Sequence, residues 1–426
     1  MAVDRIVVDR APGVARAAFL TAGRVVELWI EGDDRPSLLG AVALARAKTM
    51  GGGGTAILTL PRGQEAYLRD GQSRSGRPRD GEAIMVQITR DAVTGKRAVA
   101  RPAIELSDGA VILTPGRPGL GLSSAIKGKT RRAALKAALT PLLADDLGLV
   151  VRGMAADIAP EAIAGRASGL IARWTTLDTL AGSGQAPVWL IPPLELLDTC
   201  RAHAPGGEPE LDTTGQMFRD AGGAEALEAA LARDVPIDGG ALVFDATEAA
   251  TLIDVNVSQD SRRALRDGAV TAVRQAAAQA RLRGLRGTVL VDIPRLRDRA
   301  ERDAVIAALA EAAADDPTPL RALGWTPGGM LECVREGARR PLADEVLESR
   351  TAIPTARAAA WEALDLLRRE AARIARPRLV VSPAVAAWLA GPGAVIVTGE
   401  RRRLGALTVV GDPALSRNEA KIESEV

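Results

Sequence analysis

Ring chemistry is scarce in this 426-residue chain: aromatic residues make up 2% of it, as six Trp, three Phe and Tyr67 alone. A surface built on rows of stacking rings is therefore excluded, although Leu, Val, Ile and Ala can still fill a core. His203 is the single histidine, which removes His pairs and multi-His metal sites and leaves carboxylates as the remaining metal ligands. Cys200 and Cys333 have no partner at CxxC spacing, which argues against a zinc ribbon, an iron–sulfur cluster or a disulfide framework and points to a reducing compartment. No run approaches the ~18 apolar residues of a membrane span. The start, MAVDRIVVDRAPGV, carries Asp4 and no sustained apolar stretch, so neither a signal peptide nor an anchor is expected.

What is present is the composition of a globular chain, 47% hydrophobic and 25% charged. Its length predicts two or three compact units. A net charge of +2 gives no global attraction for nucleic acid, yet only six of the 55 basic residues are Lys. Arg is the bidentate phosphate binder, so individual arginines matter more than the total.

Along the chain, residues 4–31 read as a hairpin turned at Gly23, and 38–106 as several short strands with Gly-rich turns, the pattern of a small barrel. A helix is expected from a cap at Ser123 or Ser124 to about Ala144, and another over 160–180. SSAIKGKT at 123–130 approaches a phosphate-binding P-loop but has Ser123 where that motif needs Gly. Its basic residues Lys127, Lys129, Arg131, Arg132 and Lys136 form either a face toward RNA or a solvated one. The stretch 204–216 reads as an exposed loop and a boundary between halves. His203, beside it, reads as a surface residue. From 222 the order is helix, strand, strand, long helix, strand. The long helix carries one apolar stripe of Leu265, Ala269, Ala272, Val273, Ala276, Ala280 and Leu282.

One constellation carries chemistry. A strand ends in Ile253-Asp254-Val255-Asn256, a helix crosses over, and a second strand ends in Leu290-Val291-Asp292. A crossover of this kind makes the two strands parallel and usually adjacent. Both aspartates then fall at strand carboxyl ends, where αβ sheets open a crevice. Two facing carboxylates repel, and a hard divalent cation resolves the repulsion. Asn256, two residues on, shares the face of Asp254 and could orient a ligand water. The arrangement fits metal-assisted phosphodiester chemistry without a histidine base. The bland alternative is that each Asp is a helix cap or turn former. Arg281, Arg283 and Arg286 sit just before the second strand, where they either clamp a phosphate or complement the helix C-terminus.

The segment LARDVPIDGGALVFDATEAATLIDVNVS resembles the active-site stretch of the ribonuclease E/G family: Gly239, Gly240, Thr247, Glu248, Ala249, Ile253, Asp254, Val255 and Asn256 all match. QARLRGLRGTVLVDI is similar to the family's helix end and following strand, which places the second family metal ligand on Asp292. GGMLECVREGARRP, DLGLVVRG, EAIMVQITRDAVTGKRAV and VVSPAVAAWLAG are similar to further family segments, so the resemblance spans nearly the whole chain.

The resemblance implies an α+β and α/β architecture of several subdomains: an RNase H-like piece (1–37 plus 211–235), an inserted OB-type RNA-binding barrel (38–106) and a 5′-sensor-like region (107–210). It continues with a DNase I-like catalytic subdomain (236–345), a linker helix (346–374) and a small C-terminal αβ domain (375–426). It implies a cytoplasmic endoribonuclease for RNA processing and decay, acting on single-stranded RNA. Mg²⁺, with Mn²⁺ as a substitute, would be held by Asp254 and Asp292, and activated water would leave a 5′-phosphate and a 3′-hydroxyl. Tyr67 falls where an aromatic stacks a base, Lys96 where a lysine meets the backbone, and Arg152 on the sensor arginine. Four departures stand beside these matches. Gly153 replaces the sensor threonine, Ile57 a stacking Phe, and Arg295 an acidic residue, and the Cys-Pro-x-Cys zinc link is missing. No structural zinc is expected, and any homo-oligomer would not be held by one. The family's long scaffold tail has no counterpart, and no membrane contact is expected. The alternative is a non-catalytic RNA-binding protein that kept the fold.

Overall fold

β1 (Arg5–Ala11), β2 (Val14–Thr21) and β3 (Arg24–Gly32) form an antiparallel meander, so residues 4–31 make three strands where the sequence predicts one hairpin. The extra turn lies at Pro12–Gly13, with Gly13 at φ 80°. At the second turn Ala22 and Gly23 both have positive φ, 50° and 75°, the two-residue geometry that matches strand twist. Asp4 supports it by accepting a hydrogen bond from the Ala22 N–H at 2.6 Å. All of β2 is buried, because both faces of the sheet are covered: Ile6, Val8, Ala17, Phe19 and Trp29 belong to one apolar cluster, Val7, Ala18, Leu28 and Ile30 to another.

The computed structural model describes residues 3–49, 56–68, 78–203, 208–258, 260–294, 296, 298–347, 353–371 and 374–425. The chain divides into residues 1–37 with 195–426, and residues 38–194. The division therefore does not fall at 204–216. Residues 204–207 lie outside the described set, and the strand Glu210–Asp212 pairs in parallel with β1, which draws that segment into the first unit.

The rest of the first unit holds a six-stranded sheet and a small αβ layer. The sheet contains β4 (Asp234–Ile237), β5 (Gly240–Ala246), β6 (Ala250–Val257), β7 (Gly287–Asp292), β8 (Arg321–Trp325) and β9 (Leu331–Arg335), in the order β4-β5-β6-β7-β9-β8. Only β6 and β7 are parallel, joined by α1 (Arg262–Leu282). Ser261 caps α1 by accepting from the Ala264 N–H at 3.1 Å. The predicted stripe is buried at Ala269, Ala272, Val273, Ala276 and Ala280; Leu282 instead joins the core beneath β1–β3. α1 and α2 (Arg299–Ala312) cover one face of the sheet, against Leu242, Ile253, Val255, Val289, Val291 and Leu331. The period of two then places Leu252, Asp254, Asn256, Leu290 and Asp292 on the other face. In the C-terminal layer the strands Pro377–Val381, Thr408–Gly411 and Ala420–Ser424 pack with three helices.

In the second unit the strands Val42–Thr49, Ala56–Thr59, Glu65–Leu68, Ala98–Arg101 and Ala83–Arg90 close on themselves through the pairing of the first with the last, giving a five-stranded barrel compatible with an OB-type subdomain. Its interior is filled mainly by Ala with Leu58, Leu68, Val86 and Ile88, the small side chains that a narrow barrel admits. A second sheet follows, in which Gly119–Leu122 pairs in parallel with Leu147–Val151. That pairing keeps 119–122 extended, so the helix expected from Ser123 begins at Lys129 and ends at Leu139. Glycine is required at Gly148, where a Cβ would lie 1.9 Å from the Arg117 carbonyl oxygen.

His203 is not a surface residue. Its side chain is 19% exposed, its ring lies 4.5 Å from that of Trp29, and its Nε2 is 3.2 Å from Glu27 Oε2. Glu27 also accepts from Trp29 Nε1 at 2.9 Å and from Arg281 Nε at 3.1 Å. Burial alone would push the Glu27 carboxyl up, but His203 and Arg281 outweigh it and hold it at about 2. A carboxyl held below its ordinary value stabilises the fold at neutral pH, and that stabilisation is lost as pH falls through about 4.5 toward 2. Wild type is expected to lose about 3 kcal/mol from this source over that window. Urea unfolding at pH 7, 5 and 3 checks it, with about 2 kcal/mol of the loss expected by pH 3: a Glu27→Gln variant, weaker at pH 7, loses less on acidification.

Candidate active site

β6 and β7 run side by side with Asp254 directly opposite Asp292. Both are exposed, and their Cα atoms are separated by one strand spacing, about 4.8 Å. The sequence places both aspartates at neighbouring strand ends; in the structure Asp292 ends β7, whereas β6 runs past Asp254 to Val257 against β5, and the two aspartates stand in register on one open face. Asn256 Nδ2 donates to Asp254 Oδ2 at 3.0 Å. Its amide therefore holds the Asp254 carboxylate. Asp292 has no hydrogen-bond or ion-pair partner among the described residues. Neither aspartate caps a helix: α1 is capped by Ser261 and α2 by Asp298, which accepts from the Glu301 N–H at 2.9 Å.

The pair is flanked one residue row back. On β5, Asp245 is held by Arg233 in a two-pronged contact of 2.9 Å at each oxygen. On β9, Glu332 stands opposite Leu290, and sequence reasoning did not single it out. The signal was available, because Glu332 alternates with buried Leu331 and Cys333. Among the described residues no three His, Cys, Asp or Glu side chains converge as a metal cluster. An exposed pair of hard oxygen donors with room for water is suited to a cation that keeps part of its hydration shell.

Arg281 and Arg283 do not join this site, and the phosphate-clamp reading is corrected. Both are 8% exposed. Arg281 is spent on Glu27, and Arg283 donates to Gln279 Oε1 at 2.8 Å and to the Ala232 carbonyl at 2.7 Å while lying over the Phe244 ring. Burial lowers Arg283 to about 10. Burial likewise pushes both thiols, Cys200 and Cys333, up to about 12, where neither is a nucleophile or a ready metal ligand.

In the second unit, Tyr67 is 36% exposed on the barrel, directly across from Ile57, which is 8% exposed. The two positions that the resemblance assigns to stacking rings are thus cross-strand neighbours. Lys96 is exposed in the turn just before the strand Ala98–Arg101, which pairs with the Tyr67 strand. Arg152 is exposed at the end of the strand Leu147–Val151. A Cβ on Gly153 would lie 3.0 Å from Ala125 Cβ and 3.6 Å from Ser123 Oγ, so the space a threonine would fill is already crowded. Of the basic helix start, Arg131 donates to the Ala155 carbonyl and Arg132 to those of Ser123 and Ile126. These two tie loops together; Lys127, Lys129 and Lys136 are exposed. Arg295 lies outside the described residues. No helix among the described residues is long and apolar enough to cross a membrane.

The sequence model of the Ribonuclease E/G family matches residues 195–338, a span that holds Asp254, Asn256, Asp292 and Glu332. The chain is 28% identical to Ribonuclease E of Escherichia coli (strain K12) over 319 residues, 63% of this chain and 30% of that protein. It is 24% identical to Ribonuclease G of Salmonella typhimurium (strain SL1344) over 397 residues, 78% of this chain and 80% of that protein. Ribonuclease G of Escherichia coli (strain K12) is 24% identical over 393 residues.

Proposed function

We propose that this chain, which belongs to the ribonuclease E/G family, is an endoribonuclease that cuts single-stranded RNA with a divalent cation held by Asp254 and Asp292. The observation that carries the reading is the register of the two carboxylates, abreast on adjacent parallel strands of an open sheet face. Two negative charges side by side are costly, the nearby cation Arg233 is hydrogen-bonded to Asp245, and a bound Mg²⁺ or Mn²⁺ would relieve that cost. The donor set is all oxygen, which fits these ions better than zinc. When bound, such a cation supplies Lewis acidity toward a phosphoryl oxygen and lowers the pKa of water so that hydroxide is available at neutral pH.

The remaining work falls to the chain. Asn256 fixes the rotamer of Asp254, so that one carboxylate is preorganised before anything binds. The open face of β6 and β7 admits a single strand from the side of Leu252 and Leu290. No histidine enters, since His203 is engaged with Glu27. Tyr67, Lys96 and Arg152 are exposed and suited to contact RNA, Tyr67 by stacking on a base and the other two by charge. With Ile57 in place of a second ring, less of the grip comes from stacking. In this reading the first sheet is RNase H-like, the six-stranded sheet DNase I-like, and the setting RNA processing in the cytoplasm.

In-line attack by water predicts a 5′-phosphate on the downstream product. Cleavage of a single-stranded oligoribonucleotide followed by ligation of that fragment, without prior phosphorylation, checks it. A 2′,3′-cyclic phosphate on the upstream fragment would overturn the mechanism.

A further inference from the structure

We propose that Glu332 is a positioning residue of the same centre, an outer carboxylate that tightens the hold of Asp254 and Asp292 on their cation; this rests on the reading above. Glu332 stands opposite Leu290, two residues before Asp292 on β7. It therefore shares the open face and lies on the diagonal from Asp292, a separation within reach of a glutamate side chain. Its other row neighbour, on β8, is Gly324, so the residues on either side offer no side-chain polar group.

The charge around it is arranged unequally. Asp245, which flanks Asp254 from the other side, is neutralised by Arg233. Arg321, the cation on the diagonal across β8 from Glu332, is taken by Glu336 at 2.8 Å. Glu332 itself, partly buried, has no hydrogen-bond or ion-pair partner among the described residues. A partly buried carboxylate without a partner costs stability unless something positive arrives. On one diagonal across β7 stands Asp292, whose negative charge makes the cost larger. A cation on the aspartate pair relieves both at once. Since no three-carboxylate cluster is preformed, Glu332 acts from outside the ligand shell, by charge and as a hydrogen-bond acceptor.

The test is a titration of the RNA-free protein with Mn²⁺, read by the loss of the free-ion electron paramagnetic resonance signal. The relevant site is the one that Asp254→Asn removes. Glu332→Gln is expected to weaken it by roughly tenfold, the scale of outer-shell substitutions, with Glu332→Asp retaining part of the affinity and the melting temperature of the cation-free protein not lowered by Glu332→Gln. Asp303→Asn, which removes the same charge from α2 on the covered side of the sheet, is expected to stay within about twofold. Glu332→Gln within about twofold of wild type would overturn the role of Glu332 alone. A wild type with no Asp254-dependent Mn²⁺ site would overturn the cation reading and this inference with it.

Discussion

Asp254→Asn and Asp292→Asn are each expected to lower single-turnover cleavage of a single-stranded oligoribonucleotide by about a thousandfold or more, equivalent to about 4 kcal/mol of transition-state stabilisation. Asparagine keeps the size and part of the hydrogen bonding of aspartate but removes the charge that a hard cation needs. Both side chains are exposed, so neither change should unfold the protein. Affinity for RNA measured in EDTA is expected not to fall, because without a cation the aspartates only repel phosphate. Because the carboxylates share one task, the double variant should be little worse than either single one. Effects that instead multiply would mean that the two act separately.

Arg281→Ala is expected to have the largest effect on stability, a loss of about 3 kcal/mol, because it takes from the buried Glu27 carboxylate its permanently charged partner and leaves only His203 and the Trp29 N–H. Glu27 is 5% exposed and Arg281 8%, and they join β3 to the end of α1. Urea unfolding at pH 7 measures the loss. RNA affinity, determined where the variant is still folded, is expected to match wild type. A variant of normal stability with sharply weakened RNA binding would return Arg281 to the phosphate contact that its place in the sequence invites.

That contrast locates what was legible in the chain. The βαβ crossover could be read from two apolar runs ending in Asp, with the stripe of α1 between them, because both signals are local. The pairing register could not, since it depends on how α1 packs, and so neither the exact opposition of Asp254 and Asp292 nor the target of Asn256 was visible. Arg281 and Arg283 misled because an arginine at a helix C-terminus looks the same whether it faces solvent or a buried glutamate 254 residues away. The same limit explains the helix that begins at Lys129 instead of Ser123, and the chain division that misses 204–216. In both cases a parallel strand pairing from a distant segment decides the structure. Tyr67 and Ile57 were named separately from the resemblance, and only the barrel makes them neighbours. Glu332 was overlooked because its segment matched as a whole, and no single residue in it announces a role until the sheet face is assembled.

The central claim is that a cation held by the two aspartates cuts RNA. The most direct measurement is the fate of a 5′-labelled single-stranded oligoribonucleotide incubated with the purified chain, in Mg²⁺ or in EDTA, beside Asp292→Asn. The account predicts discrete shorter products in Mg²⁺, none in EDTA and none from the variant. Tight binding without any Mg²⁺-dependent product would contradict it and leave a non-catalytic RNA-binding protein.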